Sequence, residues 1–161
     1  AEAILLEDPP PWWSAASAAK EFDPEVPKKL RESLIQRKGQ AREALIAAER
    51  LVSPTWSEAE LGPWADSKLR LNPSIAELMS PTIPRSVDWS VVLPRVTCPA
   101  LLVTADPTMG AIVTPETADS LHELIPQLTV AHIPKAGHSI HREQFDAYLH
   151  VVRTFIGNMQ G

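Results

Sequence analysis

The sequence has little of several features that would point to particular classes of protein. Only one cysteine, Cys98, occurs in 161 residues, which excludes an intrachain disulfide and a cysteine metal cluster. No apolar stretch approaches the roughly 20 residues that a membrane span needs. The net charge of −5 leaves no basic surplus to neutralise phosphates. We therefore expect a cytoplasmic globular protein whose partners include neither a membrane nor nucleic acid.

The first segment, residues 1–13, is predicted to be a core strand. An apolar run from Ala3 to Leu6 stops at Glu7 and Asp8, and three prolines follow. Such a run, closed by a turn signal, is typical of a buried parallel strand. A central strand needs neighbours on both sides, yet no strand pattern precedes this one. We expect the chain to begin in the middle of a fold.

The second segment, residues 14–84, shows helical patterns and no strand pattern. Apolar residues recur at helical spacing between Ala44 and Val52, and Ser53-Pro54 closes that helix. Further prolines break the segment into short amphipathic pieces. Interrupted helices of this kind favour a helical cap over a self-sufficient bundle.

The third segment, residues 85–161, predicts an α/β unit. Ala100–Thr104 and Leu128–Ile133 are apolar strands, and between them Thr114 and Pro115 open a helix as N-cap and first helical residue. A last helix follows, with an apolar face that we expect to comprise Phe145, Tyr148, Leu149, Val152 and Ile156. The order strand, helix, strand, helix implies parallel strands with a right-handed crossover.

Two candidate catalytic residues follow these strands. Asp106 comes after the first strand and His138 after the second, and parallel strands end at the same edge of a sheet, where open α/β sheets place their sites. A carboxylate against an imidazole would fix its tautomer and leave the other nitrogen as a general base. Gly137, directly before the histidine, would allow a tight turn.

The segment from Asp88-Trp89 to the C-terminus resembles the α/β-hydrolase superfamily. The resemblance is carried by Cys98-Pro99-Ala100-Leu101-Leu102-Val103, Ile112-Val113-Thr114-Pro115-Glu116 and Ala136-Gly137-His138. Residues Leu5-Leu6-Glu7-Asp8-Pro9 look like the strand that follows the nucleophile-elbow helix in that family, and the helices between match its inserted cap. The resemblance implies an α/β fold class, namely the C-terminal part of an α/β-hydrolase with a helical cap.

The resemblance leaves the acidic partner of His138 open. Gly110, three residues before Val113, occupies the place where the family usually carries its acid, and Asp106 lies nearer the strand. Some members, including certain haloalkane dehalogenases, take the acid from the strand before the cap. Glu7 or Asp8 would then be the partner.

The resemblance also implies a nucleophile that the sequence does not contain. No Gly-x-Ser-x-Gly turn occurs in the 161 residues, so an N-terminal half of the hydrolase, as a separate chain or an absent segment, would supply it. The implied reaction is hydrolysis of an ester or related bond in a small apolar molecule, without metal or organic cofactor. Dehalogenation or carbon–carbon bond hydrolysis would need only a different nucleophile or substrate. A homo-oligomer is compatible with this interpretation.

Four tryptophans fall in or beside the predicted cap. They are Trp12, Trp13, Trp56 and Trp64. They could line an apolar substrate pocket or anchor the cap helices. The alternative function is a non-catalytic binding or assembly protein that keeps the hydrolase framework, and it is favoured by the displaced acid, Asp106, after the strand Ala100–Thr104.

Overall fold

The computed structural model describes residues 2–14, 23, 25–79 and 87–159. In these residues the elements are β1 (Ile4–Glu7), α1 (Glu25–Lys38), α2 (Arg42–Val52), α3 (Glu58–Arg70), α4 (Trp89–Val92), β2 (Ala100–Thr104), α5 (Pro115–Leu124), β3 (Leu128–His132), α6 (Ile140–Glu143) and α7 (Phe145–Asn158). The chain divides into two compact units. We call 1–20 with 87–161 the core unit and 21–86 the helical unit.

The core unit is built on a parallel sheet with the strand order β1-β2-β3. Ile4 pairs with Ala100, and Ala100 pairs with Leu128 on its other side. All five residues of β2 are buried, as its continuous apolar sequence predicts for a central strand. The predicted α/β class with parallel strands is confirmed.

Helices cover both faces of this sheet. Successive side chains of β2 point to opposite faces, so Leu102 packs with Leu121 of α5 while Leu101 packs in a second cluster with Ile140 of α6. Thr114 caps α5, its hydroxyl oxygen accepting a hydrogen bond from the Thr117 N–H at 3.3 Å. The predicted start of this helix, with Pro115 as its first residue, is confirmed.

The predicted apolar face of the last helix is wrong in part. Tyr148, Val151 and Phe155 of α7 pack toward the sheet, whereas Phe145 and Ile156 are 57% and 43% exposed. Apolar residues surround much of this helix, so its sequence contains two overlapping stripes. Of these, the stripe with Tyr148, Val151 and Phe155 faces the sheet.

The helical unit packs α1, α2 and α3 around a small core that contains Leu34, Leu45, Leu61 and Trp64. Its role as a cap stays a prediction, and residues 15–22, 24 and 80–84 of the predicted cap segment lie outside the described residues. Across the part of the chain that is described, no helix has both the length and the apolar character to cross a membrane.

Candidate active site at the carboxyl edge of the sheet

Three histidine–carboxylate pairs lie in the core unit, in and beyond the ends of the strands. They are His138 with Asp8, His141 with Glu7, and His132 with Asp106. The loops after parallel strands meet at one edge of a sheet, which explains why residues so distant in sequence come together here. The three pairs differ in burial and in what else each carboxylate binds.

Asp8 is the carboxylate that contacts His138. The Nδ1 atom of His138 lies 2.9 Å from Oδ2 of Asp8, which is fully buried. The backbone N–H groups of Ile112 and Val113 also donate to this carboxylate, at distances of 2.8 to 3.0 Å. Burial of a carboxylate is costly unless such donors replace water. These backbone donors therefore fix the Asp8 carboxylate in a position where it can accept a hydrogen bond from His138.

The contact with Asp8 assigns the tautomer of His138. An ionised carboxylate only accepts hydrogen bonds, so Nδ1 must be the donor and Nε2 keeps its lone pair in the neutral ring. The His138 side chain is 56% exposed although its partner is buried. An imidazole that is oriented by a buried carboxylate and is itself partly exposed can accept a proton from a group that binds next to it.

The backbone directs Asp8 into this position. Its N–H donates to the Val103 carbonyl at 2.9 Å, which extends the β1–β2 pairing by one residue. Its φ of 37° then turns the chain out of the strand. Positive φ is uncommon outside glycine but is tolerated by aspartate better than by most residues. Such a conformation costs about 1–3 kcal/mol and persists where surrounding contacts fix it.

Asp106 lies against a different histidine. Its Oδ1 is 3.1 Å from Nε2 of His132, and its Oδ2 accepts a hydrogen bond from the Lys135 N–H at 2.7 Å. Lys135 has a φ of 61°, so this bond supports a strained turn at the start of the His138 loop. The structure thus brings Asp8, and not Asp106, to His138.

Glu7 forms the third pair, with His141. Its Oε1 lies 2.7 Å from Nδ1 of His141 and also accepts a hydrogen bond from the His141 N–H at 2.9 Å. Burial, followed by the negative charge of Glu7 and a hydrogen bond to it, raises the pKa of Tyr148. Glu7 therefore ties α6 and α7 to the end of β1, through His141 and Tyr148.

Two residues beside His138 shape its loop. A Cβ atom on Gly137 would lie 2.3 Å from the carbonyl oxygen of Met109, so no other residue fits there without movement. Glu143 accepts hydrogen bonds from the N–H groups of Gly137 and Ser139 at 2.7 and 3.2 Å. From the sequence, Glu143 at a helix start is expected to be surface charge, and this prediction is wrong. The signal was the spacing from Ser139 to Glu143, one residue longer than a capping box.

The four tryptophans are divided between the two units. Trp12 stacks on Trp89 with ring centroids 6.0 Å apart, and the Trp13 indole N–H donates to the Thr117 carbonyl at 3.1 Å. Trp56 and Trp64 contact each other edge to face in the helical unit. These contacts anchor each tryptophan within its own unit, and a shared substrate pocket stays a prediction.

Comparisons with known proteins give structural neighbours only. No family model matches the sequence. No curated protein matches it either. Among solved structures, an N-formylmaleamic acid deformylase from Pseudomonas putida S16 superimposes with a TM-score of 0.66 at 18% identity. An esterase from Thermogutta terrifontis, with malate bound, gives 0.58 at 20%, and a bromoperoxidase from Bacillus anthracis gives 0.61 at 18%.

The fold is that of the α/β-hydrolases. The three superpositions cover 94–99% of this chain but only 56–58% of the other chains. The predicted resemblance to the C-terminal part of this fold is confirmed. At these identities the likeness establishes the fold alone.

Proposed function

We propose that this chain supplies the catalytic base and acid of a hydrolase that cleaves an ester or related bond in a small apolar substrate. The observation that carries the proposal is the 2.9 Å contact between His138 and the buried Asp8, at the edge of a parallel sheet. A buried carboxylate on one nitrogen of a partly exposed imidazole is the arrangement that an acyl-transfer base requires.

In the proposed reaction, Nε2 of His138 accepts the proton of an attacking hydroxyl group. The nucleophile oxygen bonds to the substrate carbonyl carbon while Asp8 stabilises the imidazolium without itself taking the proton. The imidazolium then returns the proton to the leaving group as the substrate bond breaks. His138 next deprotonates water, which hydrolyses the covalent intermediate and restores the nucleophile.

The nucleophile and the oxyanion hole are proposed to come from an N-terminal half, in the same protein or as a separate chain. Two observations support this. First, the chain spans 56–58% of the length of three hydrolase-fold neighbours. Second, among the described strands β1 pairs only with β2, so its other edge has no strand beside it, whereas Asp8 at its end is fully buried. The unpaired edge of β1 would accept a strand from that half.

The identity of the nucleophile would set the reaction class. A serine would make the protein an esterase-like hydrolase, and an aspartate would permit dehalogenation. The neighbours named as a deformylase and an esterase favour hydrolysis at a carbonyl carbon. Carbon–carbon bond hydrolysis would use the same base. Each version needs His138 and neither metal nor organic cofactor.

The test is the substitution His138→Ala in the complete protein, meaning this chain together with its nucleophile-bearing half. Turnover of a panel of short-chain 4-nitrophenyl esters should fall by about 10⁴-fold, because general-base catalysis is lost. Binding of a non-hydrolysable ester analogue should be preserved. The matched control is His150→Ala, which removes an exposed histidine of α7.

Two outcomes would contradict the proposal. A His138→Ala protein that retains most of its turnover would exclude His138 as the base. A wild-type protein that binds the ester analogues but turns none of them over would favour the alternative, a binding or assembly protein built on the hydrolase framework.

A further inference from the structure

The loop that carries His138 lacks regular secondary structure, so its shape depends on side chains. It runs from the end of β3 to the start of α6. The hydrogen bond from His138 to Asp8 fixes the imidazole ring but does not by itself fix the backbone from which the ring extends. A base displaced by about 1 Å can lose about 100-fold in rate, so the conformation of this loop matters for function.

Glu143 binds the backbone on both sides of His138. Its Oε2 accepts a hydrogen bond from the Gly137 N–H at 2.7 Å, and its Oε1 accepts one from the Ser139 N–H at 3.2 Å. Hydrogen bonds to a charged acceptor are roughly twice as strong as neutral ones. Because one planar carboxylate holds both amides, it restricts the Ala136–Gly137 and His138–Ser139 peptide groups, one before the histidine and one directly after it.

The loop also packs closely against backbone at Gly137. A Cβ atom on Gly137 would lie 2.3 Å from the Met109 carbonyl oxygen, so this position has room only for glycine. Asp106 holds the start of the loop, because its side chain accepts a hydrogen bond from the Lys135 N–H and its own N–H donates to the Ala136 carbonyl. Glu143 binds the N–H groups of the two residues next to His138, so removing it should loosen the part of the loop that carries the imidazole ring.

We propose that Glu143 is a positioning residue for His138. By holding the amides of Gly137 and Ser139, it sets the backbone from which the imidazole reaches Asp8. The effect on turnover rests on the proposed function. The effect on the His138–Asp8 hydrogen bond does not, and this separates the two ideas experimentally.

The experiment compares Glu143→Ala, Glu143→Gln and the control Asp146→Asn in the complete protein. Asp146 is an exposed carboxylate in the first turn of α7, three residues along the chain. Proton NMR follows the downfield Nδ1–H resonance of His138, assigned by its loss in Asp8→Ala. Amide hydrogen exchange at Gly137 and Ser139 reports the two backbone bonds, and steady-state kinetics give kcat and KM.

In Glu143→Ala we expect fast exchange at both amides, a broadened or absent Nδ1–H signal, and kcat lowered by about 100-fold with KM little changed. Glu143→Gln keeps one acceptor oxygen, so one amide should stay protected, with an intermediate loss of kcat. Asp146→Asn should match the wild type. If Glu143→Ala does not fold, Glu143→Gln decides by the same signals.

The proposal is overturned if the Nδ1–H signal and the protection of both amides survive in the folded Glu143 variants. It is also overturned if the loss of kcat is fully accounted for by a loss of folded protein, which lowers apparent kcat and leaves KM unchanged. Should His138→Ala retain turnover, the proposed hydrolase function fails, while the NMR signals still judge whether Glu143 positions the ring.

Discussion

In the core unit, Asp8 and Glu143 accept hydrogen bonds from backbone N–H groups around one histidine, whereas in the helical unit Asp66 and Glu58 pair with arginine side chains. The first arrangement fixes the conformation of a loop. The second joins helices that already have their own backbone hydrogen bonds. We therefore expect a carboxylate to matter more for function when it binds irregular backbone than when it lies on the surface of a helix.

The two kinds of carboxylate also differ in their exposure to water. Asp8 is fully buried, while the side chains of Arg42 and Asp66 are 41% and 35% exposed. Exposed ion pairs contribute little to stability because water and salt screen them. Removing a buried acceptor instead leaves its donors without partners. Measuring the loss of stability on removal of each kind of carboxylate, in the same protein, therefore tests this difference.

The larger effect is expected for Asp8→Ala. This change leaves the N–H groups of Ile112 and Val113 and the His138 ring without their acceptor, and it should lower the free energy of unfolding by about 3–5 kcal/mol. Urea denaturation of the complete protein, followed by tryptophan fluorescence, would measure it. A loss no greater than that of an exposed carboxylate would show that Asp8 does not organise this edge of the sheet.

The smallest effect is expected for Asp66→Ala in the helical unit. The hydrogen bond from Arg42 lowers the pKa of Asp66, so its stabilising contribution is present above the ordinary pKa of aspartate and is lost as the pH falls through the lowered value. Melting temperatures of wild type and variant should nearly coincide at neutral pH in moderate salt and converge fully in acid. A gap at neutral pH as large as that of Asp8→Ala would contradict the comparison.

The sequence predicted the sheet well because its strands are simple. The runs Ala100–Thr104 and Leu128–Ile133 are apolar and closed by turn residues, and they form β2 (Ala100–Thr104) and β3 (Leu128–His132). His138 was singled out because it follows a strand and a glycine. Patterns of this kind predict structure correctly because they depend only on residues that are close together in the sequence.

The sequence could not choose among Glu7, Asp8 and Asp106, because all three lie at or just beyond the end of a strand. The choice depends on the φ of 37° at Asp8 and on two amides more than 100 residues away. Neither is visible in a local pattern. The prediction of surface charge for Glu143 was wrong for a related reason: an acid at a helix start is usually exposed, and the backbone partners of Glu143 depend on the conformation of the turn before it.

The most direct test of the His138–Asp8 pair is kcat for Asp8→Asn beside kcat for Asp106→Asn in the complete protein. Asparagine at position 8 can present an N–H donor to Nδ1, which would impose the wrong tautomer on His138. We expect kcat to fall by about 10⁴-fold in Asp8→Asn and to stay close to wild type in Asp106→Asn, whose carboxylate binds His132 and Lys135. The reverse order, with Asp106→Asn inactive and Asp8→Asn active, would contradict the assignment of Asp8 as the catalytic acid.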